Sequence, residues 1–144
     1  MSEQTYSSMR TAMVESQLRT SDVDDQRVIA VMARGPREDY VPAERRAMTY
    51  IDRPIPLSGG RALNAPLVTG RLLKEAQVDA GDKVLLIGSG TGYMAALLAG
   101  IVSHVVAVEQ DRALVEQAGT GLAGLANVTT VESALVEGHA AGAP

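Results

Sequence analysis

The chain has 144 residues, 46% apolar and 21% charged, which suits a single globular domain with a real core. Cysteine is absent, excluding disulfides and thiolate metal sites, and without Trp or Phe the core must be built from Leu, Val, Ile, Ala and Met. The net charge of −4 is uneven, with 11 basic residues against 9 acidic up to Lys74 and 2 against 8 from Glu75 onward.

The arginines are scattered and all four aromatics are Tyr, so clustered cations with stacking partners, the footprint of nucleic-acid binding, are not found. His104 and His139 do not form a metal-ligand pattern, and no metal site is expected. A polar N-terminus at Ser2-Glu3-Gln4 and the lack of a ~20-residue apolar run argue against a secretory leader and a membrane span. A cytoplasmic location is the expectation.

In chain order, the first clear element is a helix carrying Val28, Ile29, Val31 and Met32 at helical spacing, opened by Asp24-Asp25 and stopped by Pro36. From Pro42 to Pro66 the chain is punctuated by Pro54, Pro56, Gly59 and Gly60, and irregular segments of this length commonly bind something. A helix follows from Ala65, with Leu67, Val68, Leu72, Leu73 and Ala76 assigned to its apolar face. Val84-Leu85-Leu86-Ile87 then runs apolar without alternation, the pattern of a parallel strand buried on both faces. Next come a helix from Gly92 to about Gly100, a strand at Val105–Val108, a helix from Arg112 to about Leu122 and a strand at Val128–Val131. Strands alternating with helices imply an α/β fold with a parallel sheet.

Between the first of these strands and its helix lies Gly88-Ser89-Gly90-Thr91-Gly92. Glycines at alternate positions permit a sharp turn and a close approach of ligand to backbone, and the N–H groups of the following helix start favour negative charge. Glu109, 21 residues after Gly88, ends the next strand, where its carboxylate can accept from both hydroxyls of a ribose. Strand, glycines, helix, strand and acid in this order point to an adenosine-containing cofactor. Gly90-Thr91-Gly92-Tyr93-Met94-Ala95 also fits the dinucleotide fingerprint with Ala last, so NAD is the rival. The glycine directly abutting the strand and the helical region before the sheet count against NAD, and a Gly-x-Gly-x-Gly turn behind a helical extension resembles the class I methyltransferases, which implies S-adenosylmethionine.

Four blocks carry a wider resemblance: Met13-Val14-Glu15-Ser16-Gln17-Leu18; Asp25-Gln26-Arg27-Val28 with Pro36-Arg37-Glu38-Asp39-Tyr40-Val41-Pro42; Tyr50-Ile51-Asp52-Arg53-Pro54-Ile55-Pro56-Leu57; and Val84 to Tyr93. In this order the sequence resembles the protein-L-isoaspartate O-methyltransferases. The resemblance implies a Rossmann-like class I methyltransferase fold with an N-terminal helical extension and the first three strands of the parallel sheet. It divides the chain into a helical and substrate-loop region at 1–78 and a cofactor-binding half-domain at 79–144. It implies transfer of a methyl group from S-adenosylmethionine to the carboxylate of isoaspartyl residues in damaged proteins or peptides. Ala62, Leu63, Gly88, Ser89, Gly90, Gly92, Glu109 and Gln110 are then expected at the cofactor, and Arg61 could pair with an incoming carboxylate, although an exposed Arg is more often merely solvated.

The sequence also departs from the family. Where the substrate loop typically reads Gln-Thr-Ile-Ser, with the Ser at the active site, this chain has Arg61-Ala62-Leu63-Asn64. Asn caps helices about as well as Ser, so capping is the simplest role for Asn64. Leu86 replaces a carboxylate two residues before the first glycine, and Ser133-Ala134 replaces Gly-Asp near the adenine, with Glu132 as a substitute or merely a surface charge. These changes motivate a second reading, a relative that binds cofactor or a protein partner without methyl transfer. The chain also stops at Ala143-Pro144, where a fourth strand would begin. The first strand would then lie at a sheet edge, which invites pairing with another chain and suggests either a fragment or self-association.

Overall fold

A computed structural model describes residues 2–142, so Ala143-Pro144, where a fourth strand would begin, lies outside the described residues. Helix α1, Glu3–Met13, opens with the Ser2 hydroxyl accepting from the Thr5 N–H and runs into a wider π turn over Val14–Leu18. Helix α2, Gln26–Arg34, begins where the Asp25 carboxylate accepts from the Arg27 and Val28 N–H groups, and it ends at Gly35 before Pro36. Its apolar face is the expected one, with Val28, Ile29, Val31 and Met32 all buried.

The Pro-rich stretch is more ordered than its composition implies. Short turns at Arg37–Tyr40 and Ala43–Met48 lead to a two-strand antiparallel ladder of β1, Ile55–Pro56, and β2, Ala62–Leu63. Helix α3, Pro66–Ala76, follows, but its buried face is Pro66, Thr69, Gly70 and Leu73. Val68 and Leu72, assigned to the buried face from sequence, are 46% and 51% exposed, and Ala76 is exposed as well. Gly70 explains the difference: a Cβ there would lie 3.1 Å from Leu18 Cδ2, so the closest contact belongs to the smallest residue.

Strands β3, Lys83–Ile87, β4, His104–Glu109, and β5, Val128–Glu132, form a parallel sheet in that spatial order, connected by α4, Tyr93–Ala99, and α5, Arg112–Leu122. The register pairs Val84 with Val105 and Val128, and Leu86 with Ala107 and Thr130. Val84, Leu86, Val105, Ala107 and Val128 on this face join one core with Leu18, Val23, Val28, Met32, Tyr93, Leu97 and Leu98. Each large aliphatic side chain fully withdrawn from water contributes about 1.5–3 kcal/mol. That shared core fixes the N-terminal helices against the sheet and so holds the 57–64 loop at the strand ends.

Among the described residues β3 lies at the edge of the sheet, as expected, but it is not buried on both faces. Leu85 and Ile87 are 51% and 42% exposed, because the face they share with Val106 and Val108 carries neither α4 nor α5 over β3. β4, with a strand on each side, is the one buried along nearly its whole length.

Candidate active site

The chain leaves β3 through three glycines in the left-handed region, Gly88 at φ 78°, Gly90 at 58° and Gly92 at 98°. Only glycine adopts such angles routinely. Gly92 is also sterically confined, since a Cβ there would stand 2.9 Å from Leu122 Cδ1 and 3.4 Å from the Ala118 Cβ of α5. The N–H groups of Gly88 and Ser89 donate to the Val108 carbonyl at 2.8 and 3.1 Å, which locks the turn onto the end of β4.

Glu109 completes that strand end. Its carboxylate is 2% exposed and faces the turn, accepting from the Gly90 N–H at 2.8 Å through Oε1. Oε2 accepts from the N–H groups of Gln110 and Asp111 at 2.8 and 3.0 Å. The turn and the acid therefore converge, as the spacing implied.

The face of the carboxylate expected to be open to two hydroxyls carries Arg61 instead. Its guanidinium donates in fork fashion, Nη1 to Oε2 at 2.8 Å and Nη2 to Oε1 at 2.7 Å. A Cβ added at Gly88 would lie 3.3 Å from Arg61 Nη2, so the guanidinium lies across the glycine turn as well as against the acid. Arg61, 28% exposed along its side chain, is not a merely solvated surface residue, and in this conformation its guanidinium is engaged by Glu109. Burial alone would raise the Glu109 pKa. The Arg61 hydrogen bonds and the N–H groups of Asp111, Gly90 and Gln110 outweigh it and hold the carboxyl at about 2. The same pairing raises the pKa of Arg61.

A cleft runs from this ion pair to the start of α3, lined by Leu57, Arg61, Asn64, Thr69, Ser89 and Tyr93 among others. Ala62 and Leu63 line it too, with Leu63 packed on the core. Asn64 lies there but is not a helix cap. Ala65 holds the cap position of α3 with no side-chain bond, and the Leu67 N–H is satisfied by Asp52 Oδ1 at 3.1 Å. An acid 15 residues away in sequence has taken the expected role, leaving the exposed Asn64 side chain at the cleft.

What holds Asn64 is its backbone. Arg37, fully buried, donates through Nη2 to the Asn64 carbonyl at 2.9 Å and through Nε to the Thr49 carbonyl at 2.7 Å. Its guanidinium lies 5.0 Å from the centroid of the Tyr93 ring, a cation–π distance, and Tyr93 is the first residue of α4. Burial lowers the Arg37 pKa and raises that of Tyr93. Arg37 does not line the cleft but supports it from behind, through Asn64 and Tyr93, a role the sequence does not advertise, since an Arg after a Pro has the same local appearance as a solvated one. Thr49 is held in turn by its own hydroxyl and N–H, which donate to the Arg46 carbonyl at 2.6 and 3.2 Å. Beside it Tyr50 packs under Arg10; the Tyr50 hydroxyl donates to Glu38, and Arg10 donates to both.

The other expected positions lie at the margin. Gln110 is exposed, and its Oε1 accepts from the Leu135 N–H at 3.2 Å, which folds the segment after β5 back over the strand ends. Leu86 packs into the core from the helix-covered face. Ser133 extends the ladder by donating its N–H to the Glu109 carbonyl at 3.0 Å. Among the described residues no group of three His, Cys, Asp or Glu is placed to hold a metal, and no helix is long and apolar enough to cross a membrane.

Residues 8–144 match the family model described as protein-L-isoaspartate(D-aspartate) O-methyltransferase. The chain belongs to that family. Curated relatives carrying the name protein-L-isoaspartate O-methyltransferase include one from Koribacter versatilis, 36% identical over 137 residues, covering 94% of this chain and 62% of the relative. One from Aeropyrum pernix is 43% identical over 120 residues, covering 81% of this chain and 46% of the relative. The chain thus spans roughly half to three fifths of the length of these relatives. Among solved structures, one described as a protein-L-isoaspartate O-methyltransferase from Plasmodium falciparum, in complex with S-adenosyl-L-homocysteine, superposes with a TM-score of 0.74 at 21% identity over 86% of this chain and 62% of that one. A second with the same enzyme name gives 0.76 at 21% identity over 96% of this chain and 45% of that one. At that identity the superpositions establish the fold, the Rossmann-like one expected of the family. Within this protein-L-isoaspartate methyltransferase fold, the glycine turn, Glu109 and the 57–64 loop meet at one end of the sheet.

Proposed function

We propose that this chain is a protein-L-isoaspartate O-methyltransferase. In this reading it takes a methyl group from S-adenosylmethionine and places it on the carboxylate of isoaspartyl residues in damaged proteins or peptides. The observation that carries the proposal is the convergence of Gly90, Gln110 and Glu109 at one strand end, beside a cleft that reaches Asn64.

The residues fit the cofactor in kind. Glycines at 88, 90 and 92 leave room for a close approach to backbone, Glu109 is a carboxylate held ionised, and Ser89 and Gln110 add polar groups alongside. Gly88, Ser89, Gly90 and Gly92 would border the methionine portion, Glu109 and Gln110 the ribose, and Ala62 and Leu63 the cover. When bound, S-adenosylmethionine supplies a methyl carbon on sulfonium sulfur, which a carboxylate oxygen takes as the C–S electron pair stays on sulfur. The substrate carboxylate is ionised at neutral pH, so this chain's residues need not remove a proton; they act mainly by positioning. Asn64 is best placed to do so, because its amide is a donor at the cleft and Arg37 fixes the carbonyl of the same residue. Residues 1–78 would form the helical and substrate-loop region and 79–144 the cofactor-binding half-domain.

Methyl transfer from labelled S-adenosylmethionine to an isoaspartyl peptide, with the normal aspartyl isomer as control, tests the proposal. Transfer to the isoaspartyl form alone is the expected result. Binding without transfer would favour the second reading, a relative that keeps the cofactor seat and has lost the chemistry at Asn64.

A further inference from the structure

Arg61 is the one charged side chain among the described residues that line the cleft, and it is spent on Glu109. Glu109 already accepts three backbone N–H groups, from Gly90, Gln110 and Asp111. The Arg61 fork adds two more bonds, which brings the total to five on a group with about four lone-pair sites. No acceptor capacity is left for a sugar diol. The three backbone donors are fixed by the strand end and the start of α5, so Arg61 is the partner that can leave. It is carried on the turn between β1 and β2, directly after Gly59 and Gly60, both in the left-handed region, with open space around Gly60.

On the cofactor reading above, we infer that Arg61 is a latch shared between two carboxylates: it closes the cofactor seat on Glu109 and, once displaced, is the cation that receives the substrate carboxylate. Cofactor and isoaspartyl substrate are then coupled through one guanidinium. The ribose hydroxyls replace the fork on Glu109, and the freed charge stays in the cleft that Asn64 lines, three residues further along the same loop. Either ligand favours the state the other needs, so the coupling is positive and reciprocal.

Calorimetric titration with S-adenosyl-L-homocysteine tests this on three chains: wild type, Arg61→Gln and Arg61→Lys. Removing a competing internal partner removes the fraction of molecules held closed, so Arg61→Gln should bind about tenfold tighter than wild type. Arg61→Lys, which keeps the charge but not the fork, should fall between them. With saturating isoaspartyl peptide present, the wild-type affinity for S-adenosyl-L-homocysteine should rise about tenfold, and that of Arg61→Gln should not change. Equal or weaker binding by Arg61→Gln in the absence of peptide overturns the latch while leaving the cofactor seat standing. Absence of binding by all three chains overturns the cofactor reading itself. A peptide effect of the same size in wild type and Arg61→Gln overturns the assignment of Arg61 to the substrate.

Discussion

Replacing Glu109 with Gln keeps the size of the side chain and removes its charge. In the folded protein the carboxyl sits at about 2, against an ordinary value of 4.5. A difference of that size corresponds to about 3 kcal/mol in favour of the ionised form in the folded state. Because the folded pKa is the depressed one, this stabilisation is fully present above about pH 5 and is lost as the pH falls through 4.5 toward 2. Linkage puts the half-loss near pH 3, at about 1.5 kcal/mol remaining. Urea denaturation of wild type and Glu109→Gln at pH 7 and at steps down to pH 3 should show a gap of about 2–3 kcal/mol that narrows by about half across that range. Comparing the two chains cancels the acid sensitivity of every other group. A gap that stays constant from pH 7 to pH 3, or no gap at pH 7, would refute the assignment of an ionised, multiply bonded Glu109.

Other substitutions test separate parts of the structure. Gly92→Ala should destabilise by about 2–4 kcal/mol by urea melts, combining a left-handed φ of 98° with a Cβ 2.9 Å from Leu122. Asp52→Ala should cost about 1 kcal/mol by removing the acceptor of the Leu67 N–H, whereas Asn64→Ala should leave stability within about 0.5 kcal/mol of wild type and lower methyl transfer. Tyr50→Phe deletes a buried hydroxyl that donates to Glu38 and accepts from Arg10, and thermal melts should report a loss of about 1–3 kcal/mol.

The sequence carries the parts of this fold that depend on near neighbours. The Asp25 cap with its apolar helix face, the three sheet strands, and the glycine turn with Glu109 at the end of the next strand follow from composition and spacing, and all are found. The parts it conceals depend on tertiary partners. A continuous apolar run in Val84–Ile87 records hydrophobicity but not which face a helix covers, so Leu85 and Ile87 end up half-exposed. The buried face of α3 is set by Gly70 against Leu18, 52 positions away, and not by its larger residues. Asn64 has the chemistry of a cap, but Asp52 reaches the same helix end from another turn. Arg61 and Glu109 are 48 residues apart, and no local pattern joins them. Arg37, with an aromatic ring on one face and two carbonyls as acceptors, is visible only once the Tyr93 helix and the 49–64 segment are brought together.

One sugar-bearing ligand engaging the strand end where Glu109 meets the glycine turn is the central claim. The most direct measurement is a two-dimensional NMR titration with S-adenosyl-L-homocysteine, following the backbone amides of Gly90 and Gln110, whose N–H groups bond the two oxygens of Glu109. Saturable shifts at these amides, accompanied by a shift of the Arg61 Nε–H signal, are the expected result. Saturable shifts elsewhere in the molecule that leave Gly90, Gln110 and Arg61 unmoved would contradict it.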